Sequence, residues 1–442
     1  MKHGTEIRDR LAEVLVPAIE ELLGDLEQVT AGEIERVIRE VLQGIGNAVL
    51  AASLERLEGR YPAKTVPCDC GGHGHYVCRR RGMLITVFGR VAYRRAYYLC
   101  SRCHRGQYPL DRRLGLRPGQ VSVALAELLA LLGVQTAFEE AARLAEKLLL
   151  VRVSENTVRH ETQRYGQLQM DREAQWQEES EDIERLLERA RSRSERPKRL
   201  YGSLDGVMIP VGDEWVELKV GCWYAVKQRA GPLADAKKAT EIGYYCDIGS
   251  PDRLRPLIWA SGYPRQADRA GEIVFVADGA HWIWRLVSYH FPQAVQIVDW
   301  YHAVAYLAPI GQALHGEGTA EAAQWQESMR ELLWQGEVQT VISECRRYRE
   351  HPRAAQAIEK ALSYYQNNAE RMDYARFRAQ GYLIGSGVVE SACKQIGTQR
   401  LKRAGARWTL EGARKTAKAR AAWLSQDWAP LTEAHTLLAQ AA

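Results

Sequence analysis

The sequence predicts a multidomain protein whose α/β core contains a mixed five-stranded sheet interrupted by an all-α insertion. Two observations predict this fold class. Five strand-like runs follow one another between residues 199 and 302, with helical stretches before the fourth and the fifth run. The strand pattern is then lost over residues 303–384, which have only helical character. The chain of 442 residues, 46% hydrophobic and 26% charged, is long enough for two or three domains and shows no extensive disorder.

Charge and cysteine content restrict the classes of function. The net charge of +5 is too small to indicate a nucleic-acid partner by itself, so the position of the basic residues has to decide. No apolar run reaches the length of a membrane span, and the N-terminus lacks the apolar core of a signal peptide. Nine cysteines without secretory features favour a reducing, cytoplasmic location. The sequence contains no glycine-rich phosphate loop, so no motif in it indicates a nucleotide cofactor.

The first part of the chain is predicted to be helical and then strand-rich. Apolar residues at spacings of three and four predict helices in residues 1–62. Residues 68–110 are strand-like, and the region 63–118 around them contains two cysteine pairs with the arrangement of a zinc ribbon. The predicted Zn²⁺ ligands are Cys68, Cys70, Cys100 and Cys103.

The first cysteine pair is one residue shorter than a usual zinc knuckle, which leaves two alternatives open. One of the ligands could be replaced by a nearby side chain, and the candidates are His73, His75, Cys78 and His104. The four cysteines could also be reduced thiols that bind no metal.

Residues 119–198 are predicted to be helical, with a helix-turn-helix pattern and a linker helix. Ser154 and Asn156 are the predicted N-cap candidates of a recognition helix that would carry Arg159, His160 and Arg164 toward DNA. An ordinary helical bundle explains the same pattern. The highly charged segment 173–198 is predicted to be an exposed helix that leads into the main domain boundary.

Three acidic residues are the candidate catalytic residues. Asp205 and Asp278 each follow a β-branched or aromatic run and precede a glycine, which predicts a carboxylate near a strand end. Glu390 lies in a segment with helical spacing within residues 385–442. Carboxylates from two strands and a helix suit two Mg²⁺ or Mn²⁺ ions in phosphoryl transfer. Asp299 also ends a strand, and on the sequence alone it could replace Asp278.

The simpler explanation of these residues is structural. Asp-Gly is a common turn signal, and Glu390 could pair with Lys394 four residues later on a helix. The cations after Glu390 nevertheless have the density that a phosphate backbone requires. The predicted DNA contacts in this segment are Lys394, Arg400, Lys402, Arg403 and Arg407.

The order of four motifs resembles a known family. LDG, VFVADGAHWIW, VDWYHA and GSGVVES with RLKRAGARW, in this order, resemble the bacterial insertion-sequence transposases of the ISKra family. These enzymes are relatives of the Mutator-like transposases and are of the Asp-Asp-Glu type with an RNase H-like core. The resemblance implies that Asp205, Asp278 and Glu390 are metal ligands. Asp299 and His302 match the Asp-x-x-His motif of the family, which implies a role near the active site in handling DNA ends.

The resemblance implies DNA transposition as the function. Cleavage at the transposon ends and strand transfer into target DNA would both occur at the metal-binding carboxylates, in a homodimer or larger assembly on DNA. The protein would be located in the bacterial cytoplasm, at the nucleoid when bound. Two alternatives remain: a DNA-binding regulator without catalysis, and a nuclease that has the same core but does not join strands.

Overall fold

The computed structural model describes residues 12–13, 15–17, 20, 30–59, 63–117, 119–192, 195–228 and 237–441. The chain forms two compact units, one of Met1–Leu168 with Trp428–Ala442 and one of Gln169–Asp427. It is therefore a multidomain protein of mixed α/β structure, as predicted. The boundary lies at Gln169, earlier than the charged segment in which the sequence places it. The helix predicted before residue 30 lies mostly outside the described residues.

The first unit consists of a small antiparallel sheet and a set of helices. Its elements are α1 (Ala31–Glu58), β1 (Thr65–Pro67), β2 (His73–Thr86), β3 (Gly89–Cys100), β4 (Gly106–Gln107), α2 (Pro109–Leu114), α3 (Val123–Gln135), α4 (Phe138–Leu149), the start of α5 (Glu155–Glu181) and the last helix, α17 (Ala429–Ala441). The strands are hydrogen-bonded in the order β1-β2-β3-β4, and every pair is antiparallel. The strand-rich character predicted for residues 68–110 is confirmed.

Helix α1 packs on the β2–β3 hairpin. Ala51 and Leu54 form a core cluster with Leu84, Val91 and Tyr93 of the hairpin. Among the described residues, this is the one helix whose length and apolar composition would allow it to cross a membrane. The expectation that no apolar segment reaches that length therefore does not hold. The contacts with the hairpin make it part of the folded first unit.

The predicted cap of the third helical segment is present. Ser154 accepts a hydrogen bond from the backbone N–H of Thr157 at 3.2 Å and begins α5, as an N-cap serine does. On this helix Arg159 is exposed. Arg164 instead contacts Glu161 at 3.4 Å and donates to His435 at 3.0 Å, so its guanidinium is held within the unit.

His435 gives the first unit a pH dependence. Its Nε2 accepts the hydrogen bond from Arg164, so the imidazole is neutral in the folded protein. Burial, followed by the charges of Arg164 and Arg117, lowers the pKa of His435 to about 4. Because the unfolded chain binds the proton at a higher pH, this contribution to stability is complete above pH ~6.5 and is lost as the pH falls toward ~4.

Between pH 6.5 and pH 4, we expect the free energy of unfolding to fall by about 2 kcal/mol less in His435→Gln than in the wild type, after allowance for solvent screening. Urea unfolding of the wild type and the variant across this pH range measures the difference. His281→Gln, at an exposed histidine, is the matched control. The same pH dependence in the wild type and His435→Gln would contradict the prediction.

The second unit contains the five-stranded sheet and most of the helices. Its elements after α5 are α6 (Ile183–Arg191), β5 (Leu200–Val211), β6 (Glu214–Gln228), β7 (Lys237–Ile248), α7 (Pro251–Gly262), β8 (Ile273–Ala277), α8 (His281–His290), β9 (Val295–Val298), α9 (Trp300–Ala305), α10 (Leu307–His315), α11 (Ala320–Trp334), α12 (Val338–Arg347), α13 (Ala355–Asn368), α14 (Tyr374–Ala379), α15 (Gly387–Ala392), a π-helical segment (Cys393–Leu401) and α16 (Leu410–Leu424). The five predicted strands and the helical stretch that follows them are confirmed.

The sheet is mixed, with the strand order β7-β6-β5-β8-β9. Strands β5, β6 and β7 are antiparallel, whereas β5, β8 and β9 are parallel. One face packs against α7 and α8, where Trp223 makes edge contacts with Phe275 and Phe291. The other face meets the π-helical segment at Gly397, where a Cβ would lie 2.5 Å from a methyl group of Val207. That close approach holds the segment after Glu390 against β5.

Candidate active site

Asp205 lies inside β5, which differs from its predicted place near the strand end. The strand continues through Gly206, and Asp205 pairs across the sheet with Val220 of β6. On the opposite side, β5 pairs with β8 only at Leu200–Gly202. The Asp-Gly pair is therefore not a turn, and a Cβ at residue 206 would meet only the carboxylate end of the Glu217 side chain. Asp205 lies just beyond the paired part of β5 and β8.

Asp278 follows β8 directly, as predicted. Its Oδ1 accepts a hydrogen bond from the backbone N–H of Ala280 at 2.9 Å. Gly279 between them has φ +99°, a conformation that favours glycine. The carboxylate is thus fixed in a turn at the carboxyl end of a parallel strand.

Asp299 occupies the corresponding place after β9 and is fully buried. Its Oδ1 accepts from the backbone N–H of His302 at 2.7 Å and pairs with Nδ1 of the same residue at 3.0 Å. Its Oδ2 accepts from the backbone N–H of Ser386. Asp299 therefore caps α9, orients the imidazole of His302 and connects β9 to the segment that carries Glu390.

Glu390 lies on α15 and is exposed. The hydroxyl of Ser386 donates to its Oε1 at 2.9 Å, and Nδ1 of His302 lies 3.9 Å from the same oxygen. Since Ser386 also contacts Asp299, one serine connects the two carboxylates. Sequence reasoning did not select Ser386. Its position four residues before Glu390, at the start of a helix, is the signal that could have identified it.

The electrostatics of the site show a concentration of negative charge. Burial raises the pKa of Asp205, and the charge of Asp278 raises it further. The hydrogen bond with Asp299 raises the pKa of His302, with smaller contributions from Asp278 and Glu390. Burial would raise the pKa of Asp299, but the hydrogen bonds from His302 and Ser386 outweigh it, and this pKa is lowered.

Charge interactions connect all five predicted catalytic residues, but only some of these residues lie close to one another. Asp299, His302 and Glu390 place one potential ligand atom each within 4.8 Å of one another. Among the described residues, Asp205, Asp278 and Glu390 do not form such a group. Asp205 is instead connected to the Glu390 segment by the thiol of Cys393, which donates to its carboxylate.

The four predicted cysteine ligands form a second group, in the first unit. Their sulfur atoms all lie within 4.8 Å of one another, so the cluster can bind a metal ion. Cys68 Sγ lies 3.6 Å from Cys103 Sγ, and Cys70 Sγ lies 3.6 Å from Cys100 Sγ. The alternative ligands His73, His75, Cys78 and His104 are not part of the group.

The short first cysteine pair is accommodated by a tight turn. Gly71 has φ +77°, and a Cβ at Gly72 would lie 3.3 Å from the sulfur atoms of both Cys70 and Cys100. Backbone N–H groups of Cys103 and then Arg102 lower the pKa of the Cys100 thiol to about 6, although burial opposes them. By contrast, although the backbone N–H of Cys70 lowers it, burial and hydrogen bonds with the other three cysteines raise the pKa of the Cys68 thiol to about 11. Metal ions bind the thiolate form of a cysteine.

The predicted DNA contacts after Glu390 differ in their exposure. Lys394, Lys402, Arg403 and Arg407 are exposed. Arg400 is 2% exposed, and burial followed by the charges of Arg403 and Arg420 lowers its pKa to about 9. Its guanidinium is therefore not at the surface, where it would have to be to contact a phosphate group. Trp408 is buried and donates to the carbonyl of Leu401, so it belongs to the core.

A comparison with protein families finds one match. The family described as Uncharacterised protein family (UPF0236) matches residues 26–188. This stretch contains the cysteine cluster and the capped helix α5, but it ends before Asp205. No curated protein matches the chain. The matched stretch therefore contains no residue of the carboxylate site.

Proposed function

We propose that this protein is a metal-dependent DNA transposase that cleaves DNA at transposon ends and transfers the strands into target DNA. The observation that carries the proposal is that Asp205, Asp278 and Glu390, from β5, β8 and α15, each lie close enough to His302 to interact with its charge. His302 is oriented by Asp299. The order of these residues along the chain is that of the ISKra-like transposases that the sequence resembles.

The sheet supports an RNase H-like core as the fold of the second unit. The five strands are mixed, and the parallel part contains β5, β8 and β9. Helices α9 to α14 separate Asp299 from Glu390, which agrees with the all-α insertion predicted from the sequence. Such an arrangement places the ends of β8 and β9 beside a helix that comes from much later in the chain.

The donor groups fit Mg²⁺ or Mn²⁺. Asp205, Asp278 and Glu390 supply only oxygen atoms, which these cations prefer. Asp205 is harder to ionise because of burial and the charge of Asp278, and a bound cation would relieve both costs. Two ions held by the three carboxylates would activate an attacking oxygen and stabilise the leaving oxygen. Asp299 is less available as a ligand, because three groups of the fold already donate to it.

The remaining residues have roles in binding and orientation. Asp299 accepts a hydrogen bond from Nδ1 of His302 and raises the pKa of this histidine, which favours the imidazolium, and in that form Nε2 can donate to a phosphate oxygen. Ser386 holds the carboxylate of Glu390 in one position. The exposed cations Lys394, Lys402 and Arg403 contact the phosphate backbone and position the DNA without reading its sequence.

The first unit would bind the transposon end. We assign Zn²⁺ to the four-cysteine cluster, because four thiolates in one tight group suit this ion. Arg81 and Arg94 are exposed and directly opposed on the β2–β3 hairpin, which suits binding to a phosphate backbone. Arg159 at the start of α5 supplies another exposed cation. The protein would act in the cytoplasm, as a homodimer or larger assembly on paired DNA ends.

The test is a cleavage and strand-transfer assay on labelled duplex DNA that carries the inverted repeats flanking its own coding sequence. We expect cleavage at the repeat end with Mg²⁺ or Mn²⁺, joining to a target duplex, and no reaction after addition of a chelator. Cleavage without joining would indicate a nuclease with the same core. Binding to the ends without cleavage, by a folded protein at saturating Mg²⁺ and Mn²⁺, would indicate a DNA-binding regulator.

A further inference from the structure

The helical segment between His302 and Glu390 reaches back to the carboxyl ends of β8 and β9 through tyrosine hydroxyls. Tyr364 Oη donates to the carbonyl of Asp278 at 2.8 Å. Tyr365 Oη donates to the carbonyl of Ala303 at 2.8 Å, and Tyr374 Oη donates to the carbonyl of Val298 at 3.1 Å. Each acceptor lies within one residue of Asp278, Asp299 or His302.

The contact of Tyr364 is the most specific of the three, because it engages the turn that carries Asp278. A Cβ at Gly279 would lie 2.8 Å from the ring of Tyr364, so the ring packs directly on the turn. Asn368, one helical turn later on α13, donates to the carbonyl of Gly279 at 3.4 Å. Two consecutive carbonyls of the turn are therefore held by one helix.

The ring of Tyr364 is itself held in place. It stacks on the ring of Tyr306 with a centroid distance of 4.1 Å and an interplanar angle of 17°. Burial raises the pKa of Tyr364, so its hydroxyl stays protonated and remains a donor at any physiological pH. The donor side of the hydrogen bond is thus rigid, and the turn is the part that it restrains.

The position of the Asp278 carboxylate depends on this turn. Its Oδ1 is held by the N–H of Ala280, which belongs to the same turn as Gly279. A glycine with positive φ has the greatest conformational freedom of any residue, so the turn needs outside contacts to hold one geometry. Tyr364 and Asn368 supply these contacts from a distant part of the chain.

We propose that Tyr364 is a positioning residue that fixes the Asp278 turn for metal-dependent cleavage, so that the helical insertion acts as a brace for the active site. This inference rests on the function proposed above. A misplacement of a reacting group by about 1 Å can slow an enzyme about a hundredfold. The loss of one of the two contacts with the turn should cost roughly tenfold.

The experiment compares the full-length wild type with Tyr364→Phe and Tyr382→Phe. The control variant also removes a buried tyrosine hydroxyl, which donates to Glu272 beside the amino ends of β5 and β8. Cleavage rate, affinity for end DNA and hydrogen–deuterium exchange of the peptide 277–281 are measured for all three proteins. We expect Tyr364→Phe to cleave about tenfold more slowly with unchanged DNA affinity, and peptide 277–281 to exchange faster than in the other two proteins.

The possible outcomes separate this inference from the proposed function. If the wild type cleaves and both variants cleave at the wild-type rate, Tyr364 is not a positioning residue. If the wild type does not cleave, the proposed function fails, but exchange still decides whether Tyr364 restrains the turn. Equal exchange of peptide 277–281 in the three proteins would overturn the inference in either case.

Discussion

Replacement of Asp205 by Asn is expected to abolish DNA cleavage and, in the absence of divalent cations, to make the second unit more stable. We expect a loss of at least about a thousandfold in cleavage rate, since a metal-binding carboxylate supplies several kcal/mol of transition-state stabilisation. The gain in stability follows from burial and from the charge of Asp278, which both disfavour ionised Asp205. The neutral amide avoids both costs and should raise the melting temperature by about 2 °C, the effect of roughly 1 kcal/mol.

The opposite signs of these two effects identify a functional carboxylate. A residue that serves only the fold should lower stability when it is replaced, whereas Asp205→Asn should raise it while activity disappears. Thermal unfolding with a chelator and with Mg²⁺ measures the first effect, and the cleavage assay measures the second. Asp213→Asn, at the exposed tip of the same hairpin, is the matched control for both. A less stable but fully active Asp205→Asn protein would contradict the metal-ligand role.

The regular elements of the second unit could be predicted because their signals are local. Alternation and β-branched runs located all five strands, and periodicity located α7 and α8. The predicted end of β5, near Asp205, was wrong, because the strand continues to Val211. Asp205–Gly206 has the composition of a turn, but the pairing of β5 with β6 continues to Val211, and the chain reverses only at Gly212, where φ is +59°. Pairing with a neighbouring strand overrides a local turn signal, and only the tertiary structure shows it.

The exposure of basic residues could not be predicted from their density. Arg414 and Lys418 belong to a cationic run that resembles a solvated face, yet both are buried. Arg414 donates to Asp247 at a separation of 167 residues, and Lys418 pairs with Glu173 at a separation of 245. A buried cation needs such a partner, and a partner that distant leaves no pattern in the local sequence.

The residues that support the candidate site escaped prediction for a related reason. Asp278 and Glu390 carry chemistry that can be recognised by residue type, and the resemblance to a family supplied their order. Ser386 and Tyr364 are ordinary residues whose importance lies in what they contact, namely Glu390 Oε1 and the carbonyl of Asp278. Hydrogen bonds between elements that are distant in sequence have no spacing rule, so the three-dimensional structure is required to find them.

Replacement of Cys100 by Ser is expected to remove bound zinc and to unfold the small sheet of the first unit. The cluster joins the turn after β1 to the end of β3, and the sheet it connects has a small core centred on Leu84, Val91 and Tyr93. Small sheets of this kind depend on a metal for much of their stability. Wild-type protein should contain about one zinc ion per chain, and Cys100→Ser should contain almost none.

Elemental analysis measures the zinc content, and hydrogen–deuterium exchange over residues 63–107 measures the folding of the sheet. Cys78→Ser is the matched control, because Cys78 lies on β2 but outside the four-sulfur group. It should keep both zinc and protection from exchange. Treatment of the wild-type protein with a strong chelator should have the same effect as Cys100→Ser, because both remove the zinc ion whose binding stabilises the folded sheet. Wild-type protein that keeps a protected sheet without zinc would show that the four cysteines are a thiol cluster.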